Sequence, residues 1–227
     1  MIKNIAAFGD SWIYGDEIEH PDPNATDKQK REYREENCTV GQLGKSLGLS
    51  VENYGVAGNS LQGTVWQFYK WLNDTHRHTD ATPQETLIVV GLTSAQRMSW
   101  WNNNNYKHSA QYLRREFEET KHQMSIREKQ WYEHIKFQEM RSNQDELHHI
   151  RYWQTTEFFY NWCKTNGSKL LMFNVFQPPF ESNLVANPTW AMWEEIMDKP
   201  ELRAAGNHPN EQGSRYLAKM LEEMIDD

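Results

Sequence analysis

Residues Ile5-Ala6-Ala7-Phe8-Gly9-Asp10-Ser11-Trp12 decide the fold, because a short apolar run ends there in a glycine and two polar residues. The apolar run predicts a buried strand, which Gly9 interrupts. Ligands of open α/β sheets bind at the carboxyl ends of the strands, so Ser11 stands where a nucleophilic hydroxyl would face a ligand. A serine after a strand is more commonly the cap of the next helix, and that alternative stays open here.

The rest of the chain alternates short apolar strands with helical patterns. Further strands are predicted at 51–54, 86–91 and 169–176, and the one at 86–91 is apolar on both faces, as in a central parallel strand. Helical patterns are found at 39–47, from Leu61 onward, at 150–165 and after Asn210. This alternation predicts a three-layer α/β/α sandwich around a central, mostly parallel sheet.

Length and composition indicate one domain. The 227 residues suffice for one full-sized α/β domain and are few for two. The segment at about 98–146 is polar, has a helical pattern at 112–138 and lacks the apolar content for a core of its own. We therefore predict a single domain over 1–227 with a polar helical elaboration at about 98–146.

Charge, cysteine content and hydropathy narrow the class of protein. With a formal net charge of −8, the chain lacks the excess of basic residues that binding to nucleic acid requires. The two cysteines cannot form a disulfide framework, which favours a reducing compartment. The N-terminus has no secretory pattern, and no apolar stretch approaches the ~20 residues of a membrane span. We predict a cytoplasmic protein that binds neither nucleic acid nor membranes, with an oligomeric state that the sequence leaves open.

Three more polar segments follow strands or precede helices. The turn at 53–60 contains Gly58, and it leads into a helix whose first backbone N–H groups could hold an anion or a developing oxyanion. A tight turn alone also explains this glycine. Residues 92–97 follow the central strand, and His208 precedes the last helix within 207–210. All of these segments are expected at one edge of the sheet.

Taken in order, these segments resemble the four sequence blocks of the SGNH (GDSL-type) hydrolase family. Gly9-Asp10-Ser11 is similar to the block that carries the nucleophile, and 53–59 to the block whose later glycine, here Gly58, donates an oxyanion N–H. Residues 89–93 are similar to the third block, and His208-Pro209-Asn210 to the last. The resemblance covers essentially the whole chain, and it implies the flavodoxin-like fold of that family.

The resemblance implies a serine hydrolase that needs no cofactor. Ser11 would be the nucleophile and His208 its general base, and the backbone N–H groups of Ser11 and Gly58 would hold the oxyanion. No metal is predicted, because the histidines at 76, 78, 148 and 149 lack carboxylate or cysteine partners at ligand spacing. Further residues are expected to support the site: Asp10, Asn59, Ser94, Arg97 and Asn207.

Two positions depart from the family pattern. The third block normally ends in an asparagine that donates to the oxyanion, whereas Thr93 stands here. The Thr93 hydroxyl or the Arg97 guanidinium could replace that donor. The family usually has an aspartate three residues before the histidine, whereas Ala205 stands here. The ring of His208 would then be held by another group: a backbone carbonyl, Asn207, or an acid from elsewhere such as Asp198 or Glu201.

The resemblance implies action on esters or thioesters, often acetyl groups on carbohydrates. Ten tryptophans, ten tyrosines and no lipid-binding segment favour a small acyl group on a polar scaffold. The leading prediction is an esterase or deacetylase. Two alternatives stay open: an acyltransferase of the same fold, and an inactive domain that binds a glycan or a protein. Ala205 and Thr93 favour the inactive domain, whereas Ser11, Gly58 and His208 oppose it.

Overall fold

The computed structural model describes residues 1–74, 81–97, 99–102, 105–108, 129 and 144–226. The strands are β1 (Asn4–Phe8), β2 (Ser50–Asn53), β3 (Thr86–Leu92), β4 (Ser99–Asn102), β5 (Asn105–His108) and β6 (Lys169–Asn174). The α-helices are α1 (Ser11–Tyr14), α2 (Asp27–Asn37), α3 (Thr39–Leu47), α4 (Leu61–Asn73), α5 (Gln144–Asn166), α6 (Met192–Met197) and α7 (Glu211–Asp226).

A four-stranded parallel sheet with the order β2-β1-β3-β6 forms the centre of the molecule. β1 lies between β2 and β3, with Ala7 opposite Asn53 on one side and Val89 on the other. Every residue of β3 is buried, as expected for a central strand. Because the strands are parallel, the segments that follow β1, β2, β3 and β6 meet at one edge. This edge carries the candidate site.

Successive side chains of the strands pack into two different helical layers, as the alternation of a strand requires. Ile5 and Ala7 face a core that includes α3 and α7. Ala6 and Phe8 face a core that includes α4 and α5. In this second core the ring of Phe8 lies 5.2 Å from Phe68 in an edge-to-face pair. The predicted three-layer α/β/α sandwich is thus confirmed.

Hydrogen bonds at the helix ends agree with most of the sequence-based boundaries. The Ser60 side chain accepts from the N–H of Gly63 and caps α4, and Asn210 accepts from Gly213 at the start of α7. α2 begins in a capping box that Thr26 and Gln29 form at its start.

The segment predicted as a helical elaboration contains a hairpin at its start. β4 and β5 pair antiparallel, and the aromatic residues of this stretch favour strand conformation. The helical pattern at 112–138 lies outside the described residues, apart from position 129. Within the described ranges, every helix falls short of the length or the apolar character that crossing a membrane requires.

Candidate active site

Ser11 is the first residue of α1, directly beyond the carboxyl end of β1. The side chain of Asp10 accepts a hydrogen bond from the N–H of Trp12 at 3.1 Å, so Asp10 is the N-cap of this short helix. The alternative of Ser11 as the cap is therefore wrong. The hydroxyl of Ser11 is left for another partner, which is His208.

Ser11, His208 and Glu17 form a continuous chain of side-chain contacts. Oγ of Ser11 lies 2.9 Å from Nε2 of His208, and Nδ1 of His208 lies 2.8 Å from Oε2 of Glu17. A neutral imidazole with its proton on Nδ1 donates to the carboxylate and accepts from the serine hydroxyl. These three side chains have the arrangement of a Ser-His-acid triad.

Three donors hold the Glu17 carboxylate in place. Besides the His208 ring, the backbone N–H of Gly206 donates to Oε1 at 2.6 Å and that of His208 to Oε2 at 3.2 Å. Burial raises the pKa of Glu17, but these hydrogen bonds and the charge of His208 outweigh it and hold the pKa below its ordinary value. Glu17 therefore stays ionised beside the imidazole at neutral pH.

Local backbone geometry brings Glu17 and the His208 loop together. Gly15 ends α1 in the left-handed conformation with φ of 81°, which turns the chain back toward Ser11. At Gly206, a Cβ atom would clash with the carboxylate of Glu17, so a larger residue would displace this carboxylate from its present position. The side chain of Asn207 accepts from Nη1 of Arg203 at 3.0 Å. It thus braces the turn rather than the His208 ring.

The acid beside His208 corrects the sequence-based expectation. The sequence suggests Asp198 or Glu201 as a replacement for the missing aspartate, and the structure places Glu17 there instead. This contact joins residues 191 positions apart, so sequence spacing gives no sign of it. The available signal is Gly15: a glycine one helical turn after Ser11 indicates a chain reversal that returns the next residues to Ser11.

A partly buried ion pair links the Ser11 loop to the loop after β3. Oδ2 of Asp10 accepts from Oγ1 of Thr93 at 2.7 Å and from Nη1 of Arg97 at 2.7 Å. Nη1 of Arg97 also donates to Oγ1 of Thr93 at 2.8 Å. The hydroxyl proton of Thr93 is therefore engaged with Asp10, which does not fit the expected role of Thr93 as an oxyanion donor. We assign Thr93 and Arg97 to holding Asp10, and through it the Ser11 loop.

The loop after β2 also contacts the Ser11 loop. Nδ2 of the buried Asn59 donates to the carbonyl of Gly9 at 3.1 Å, which ties this loop to the Ser11 loop. Gly58 precedes Asn59 in a left-handed turn with φ of 72°. Ser94 accepts from the N–H of Gln96 at 3.3 Å and does not contact Ser11 or His208 among the described hydrogen bonds.

A polar cleft of about 400 Å³ lies at the same edge of the sheet. It is lined by residues 94–96, His148, His149 and 177–179. Nε2 of His149 contacts the carbonyl of Pro179 at 3.0 Å. In the part of the chain that the structure describes, no cluster of three or more metal-binding side chains is present. The histidines at 76 and 78 lie outside that part.

Comparison with known proteins identifies the fold. No protein-family model matches the sequence, and no curated protein matches it significantly. A carbohydrate esterase, whose active site displays divergent catalytic and non-catalytic binding functions, is similar with 15% identity and a TM-score of 0.51. That alignment covers 99% of this chain and 64% of the esterase, so this chain spans less than two thirds of it.

Two further solved structures are similar at lower scores. The acetyl xylan esterase Est2A of the rumen bacterium Butyrivibrio proteoclasticus has 11% identity and a TM-score of 0.46, over 99% of this chain and 62% of that one. A lipolytic G-D-S-L family protein of Veillonella parvula has 16% identity and a TM-score of 0.40, over 97% of both chains. The chain has an α/β/α fold similar to that of the carbohydrate esterase, which is consistent with the SGNH (GDSL-type) hydrolase fold that the sequence predicts.

Proposed function

We propose that this protein is a serine esterase or deacetylase that removes a small, acetyl-type acyl group from a polar scaffold such as a carbohydrate. The observation that carries the proposal is the chain of contacts from Ser11 Oγ through the His208 ring to Glu17, at 2.9 and 2.8 Å. A serine hydroxyl needs an adjacent base to become a nucleophile at neutral pH, and the base is oriented by a third group. All three groups are in contact here.

In the acylation step, Nε2 of His208 takes the proton of Ser11 while Oγ forms a bond to the carbonyl carbon of the ester. The electron pair of the carbonyl moves to its oxygen, and the backbone N–H groups of Ser11 and Gly58 hold this oxyanion. When the carbonyl re-forms, the bond to the leaving alkoxide breaks, and Nε2 returns the proton to that oxygen. Glu17 stabilises the intervening imidazolium.

The deacylation step repeats the same chemistry with water. His208 takes a proton from water as its oxygen attacks the acyl carbonyl carbon, and the oxyanion is held as before. The bond from the acyl carbon to Ser11 Oγ then breaks, and His208 gives the proton to Oγ. The products are the free acid and the regenerated serine. A hydroxyl acceptor in place of water would make the same site an acyltransferase.

Two observations support this proposal over an inactive binding domain. The missing aspartate at Ala205 favoured an inactive domain, but Glu17 now contacts Nδ1 of His208. The unusual Thr93 binds Asp10, so it has a structural use at that position. For the substrate class, support comes from the carbohydrate esterase of similar fold.

Hydrolysis of 4-nitrophenyl acetate by the wild type and by Ser11→Ala tests the proposal. The variant should lose at least about 10³-fold in kcat, because removing a triad member leaves only the residual catalysis of the oxyanion site. Ser50→Ala is the matched control, since Ser50 lies at the opposite edge of the sheet, where β2 begins. Absence of any Ser11-dependent hydrolysis of acetyl and butyryl esters would favour the binding domain.

A further inference from the structure

A second carboxylate lies beside the nitrogen of His208 that transfers the proton. Oδ2 of Asp16 is 3.9 Å from Nε2, the atom that contacts Ser11 Oγ at 2.9 Å. Glu17 contacts the other ring nitrogen. Two consecutive acids therefore flank the imidazole, and only Asp16 is on the side where the reaction takes place.

The position of Asp16 is fixed by the nucleophile residue itself. The backbone N–H of Asp16 donates to the carbonyl of Ser11 at 2.9 Å, and the N–H of Gly15 donates to the same carbonyl at 3.0 Å. The carboxylate is thus attached to a turn that cannot move independently of Ser11. Its side chain is 42% exposed, so it faces solvent at the mouth of the site.

The leaving group must pass close to Asp16. In the proposed acylation step, the leaving oxygen takes its proton from Nε2 across a hydrogen bond of about 3 Å. An oxygen at that distance from Nε2 lies within about 7 Å of the Asp16 carboxylate, and substituents on the adjoining carbons can lie closer. Asp16 is therefore a neighbour of the leaving group rather than of the acyl group.

The charge of Asp16 is the least compensated of the three acids at this site. Asp10 is paired with Arg97 at 2.7 Å, and Glu17 accepts from three donors. Within the described ranges, His208 is the one basic side chain in ion-pair reach of Asp16. Asp16 therefore contributes a negative potential at the leaving-group position, next to Nε2 of His208.

We propose that Asp16 is a specificity-determining residue that selects the charge of the leaving group. Leaving groups with a cation or hydrogen-bond donors next to the ester oxygen are favoured, and anionic ones are rejected. This inference rests on the proposed esterase function and adds the identity of the residue that discriminates among its substrates.

Three aryl acetates with one acyl group and different charges test this inference. They are 3-(trimethylammonio)phenyl, 3-tert-butylphenyl and 3-sulfonatophenyl acetate, which carry a cation, a neutral group of similar shape and an anion. Each kcat/KM value is measured for the wild type and for Asp16→Asn, so differences in intrinsic reactivity cancel between the two proteins. The matched control is Glu19→Gln, which makes the same change in net charge at an exposed residue nearby.

For a charge about 6 Å from Asp16 in a water-like dielectric, Coulomb's law predicts a change of about 3-fold per unit charge. The cation-to-anion ratio of kcat/KM should therefore fall about 10-fold in Asp16→Asn and stay unchanged in Glu19→Gln. In the wild type, raising the ionic strength from about 0.01 M to about 1 M should compress the same ratio, because the Debye length falls from about 30 to about 3 Å.

The outcomes separate this inference from the proposed function. If kcat/KM falls equally for all three esters in Asp16→Asn, Asp16 only supports His208. This result would overturn the inference and leave the proposed esterase function in place. A cation-to-anion ratio of kcat/KM that changes neither in Asp16→Asn nor with salt would also overturn the inference alone. Failure of the wild type to hydrolyse any of the three esters in a Ser11-dependent way would instead overturn the proposed function, and the inference with it.

Discussion

Replacing Glu17 by glutamine removes the charge beside His208 and keeps the size of the side chain. A Glu17→Gln side chain can still accept the hydrogen bond from Gly206, but it cannot compensate an imidazolium. Its amide NH2 group can also face Nδ1 and favour the wrong tautomer of the ring. In the chymotrypsin-type triad, the equivalent change lowers kcat about 10⁴-fold.

The expected loss here is smaller, because the side chain of Glu17 is 28% exposed and water screens part of its charge. We expect kcat to fall about 10²- to 10³-fold, which corresponds to about 2.7 to 4 kcal/mol of transition-state stabilisation. KM should change little, because the carboxylate acts on the base and does not touch the ester. The thermal unfolding midpoint is recorded alongside, so that a folding defect is recognised.

The assay is hydrolysis of 4-nitrophenyl acetate at pH 7 to 8, with Glu19→Gln as a control of equal charge change. Asp198→Asn and Glu201→Gln test the acids that the sequence suggested, and both should behave as the wild type. A Glu17→Gln enzyme within about 3-fold of the wild-type kcat would refute the reasoning, because the loss expected on removing the acid of a catalytic triad would then be absent. A large loss in Asp198→Asn or Glu201→Gln would refute it as well.

The packing around the site leads to three more predictions. Gly206→Ala should lower kcat at least about 10-fold in the same assay, because its Cβ would clash with the Glu17 carboxylate and displace it from His208. Arg97→Met should lower the free energy of unfolding in urea by about 3 kcal/mol, since it leaves the buried Asp10 carboxylate without its cation, and adding Asp10→Asn should recover part of this. The lowered pKa of Glu17 stabilises the folded protein above the ordinary carboxyl pKa of about 4.3, so the stability difference between wild type and Glu17→Gln should be present near pH 6 and shrink below about pH 4. An undiminished difference at low pH would contradict this assignment.

The central sheet and two residues of the site, Ser11 and His208, could be predicted from sequence, because they depend on local patterns. Continuous apolar runs mark the parallel strands, and β3 is buried along its whole length. Polar residues after those strands must meet at one edge, which places Ser11 there, and the family resemblance pairs Ser11 with His208. The β4–β5 hairpin could not be predicted in this way, because its segment is polar overall and its short strands have no apolar run to mark them.

Glu17 could not be predicted, because its role depends on backbone conformations that single-sequence patterns do not specify. Glu17 itself has a φ of 65° and Asn207 a φ of 68°, and both are uncommon for residues with a side chain. The hydrogen bond of Thr93 to Asp10 likewise depends on the spacing between two loops. Such long-range contacts are set by how the loops pack, and not by the residues next to them in the chain.

Covalent labelling with a fluorophosphonate tests the central claim most directly, since the probe reacts with a serine that is activated by its base. Intact mass and peptide mapping should show one adduct per chain, located on Ser11. The adduct should be absent in Ser11→Ala and should form much more slowly in His208→Ala and Glu17→Gln. An unlabelled wild type, or an adduct on another residue that persists in Ser11→Ala, would contradict the assignment of Ser11, His208 and Glu17 as the catalytic triad.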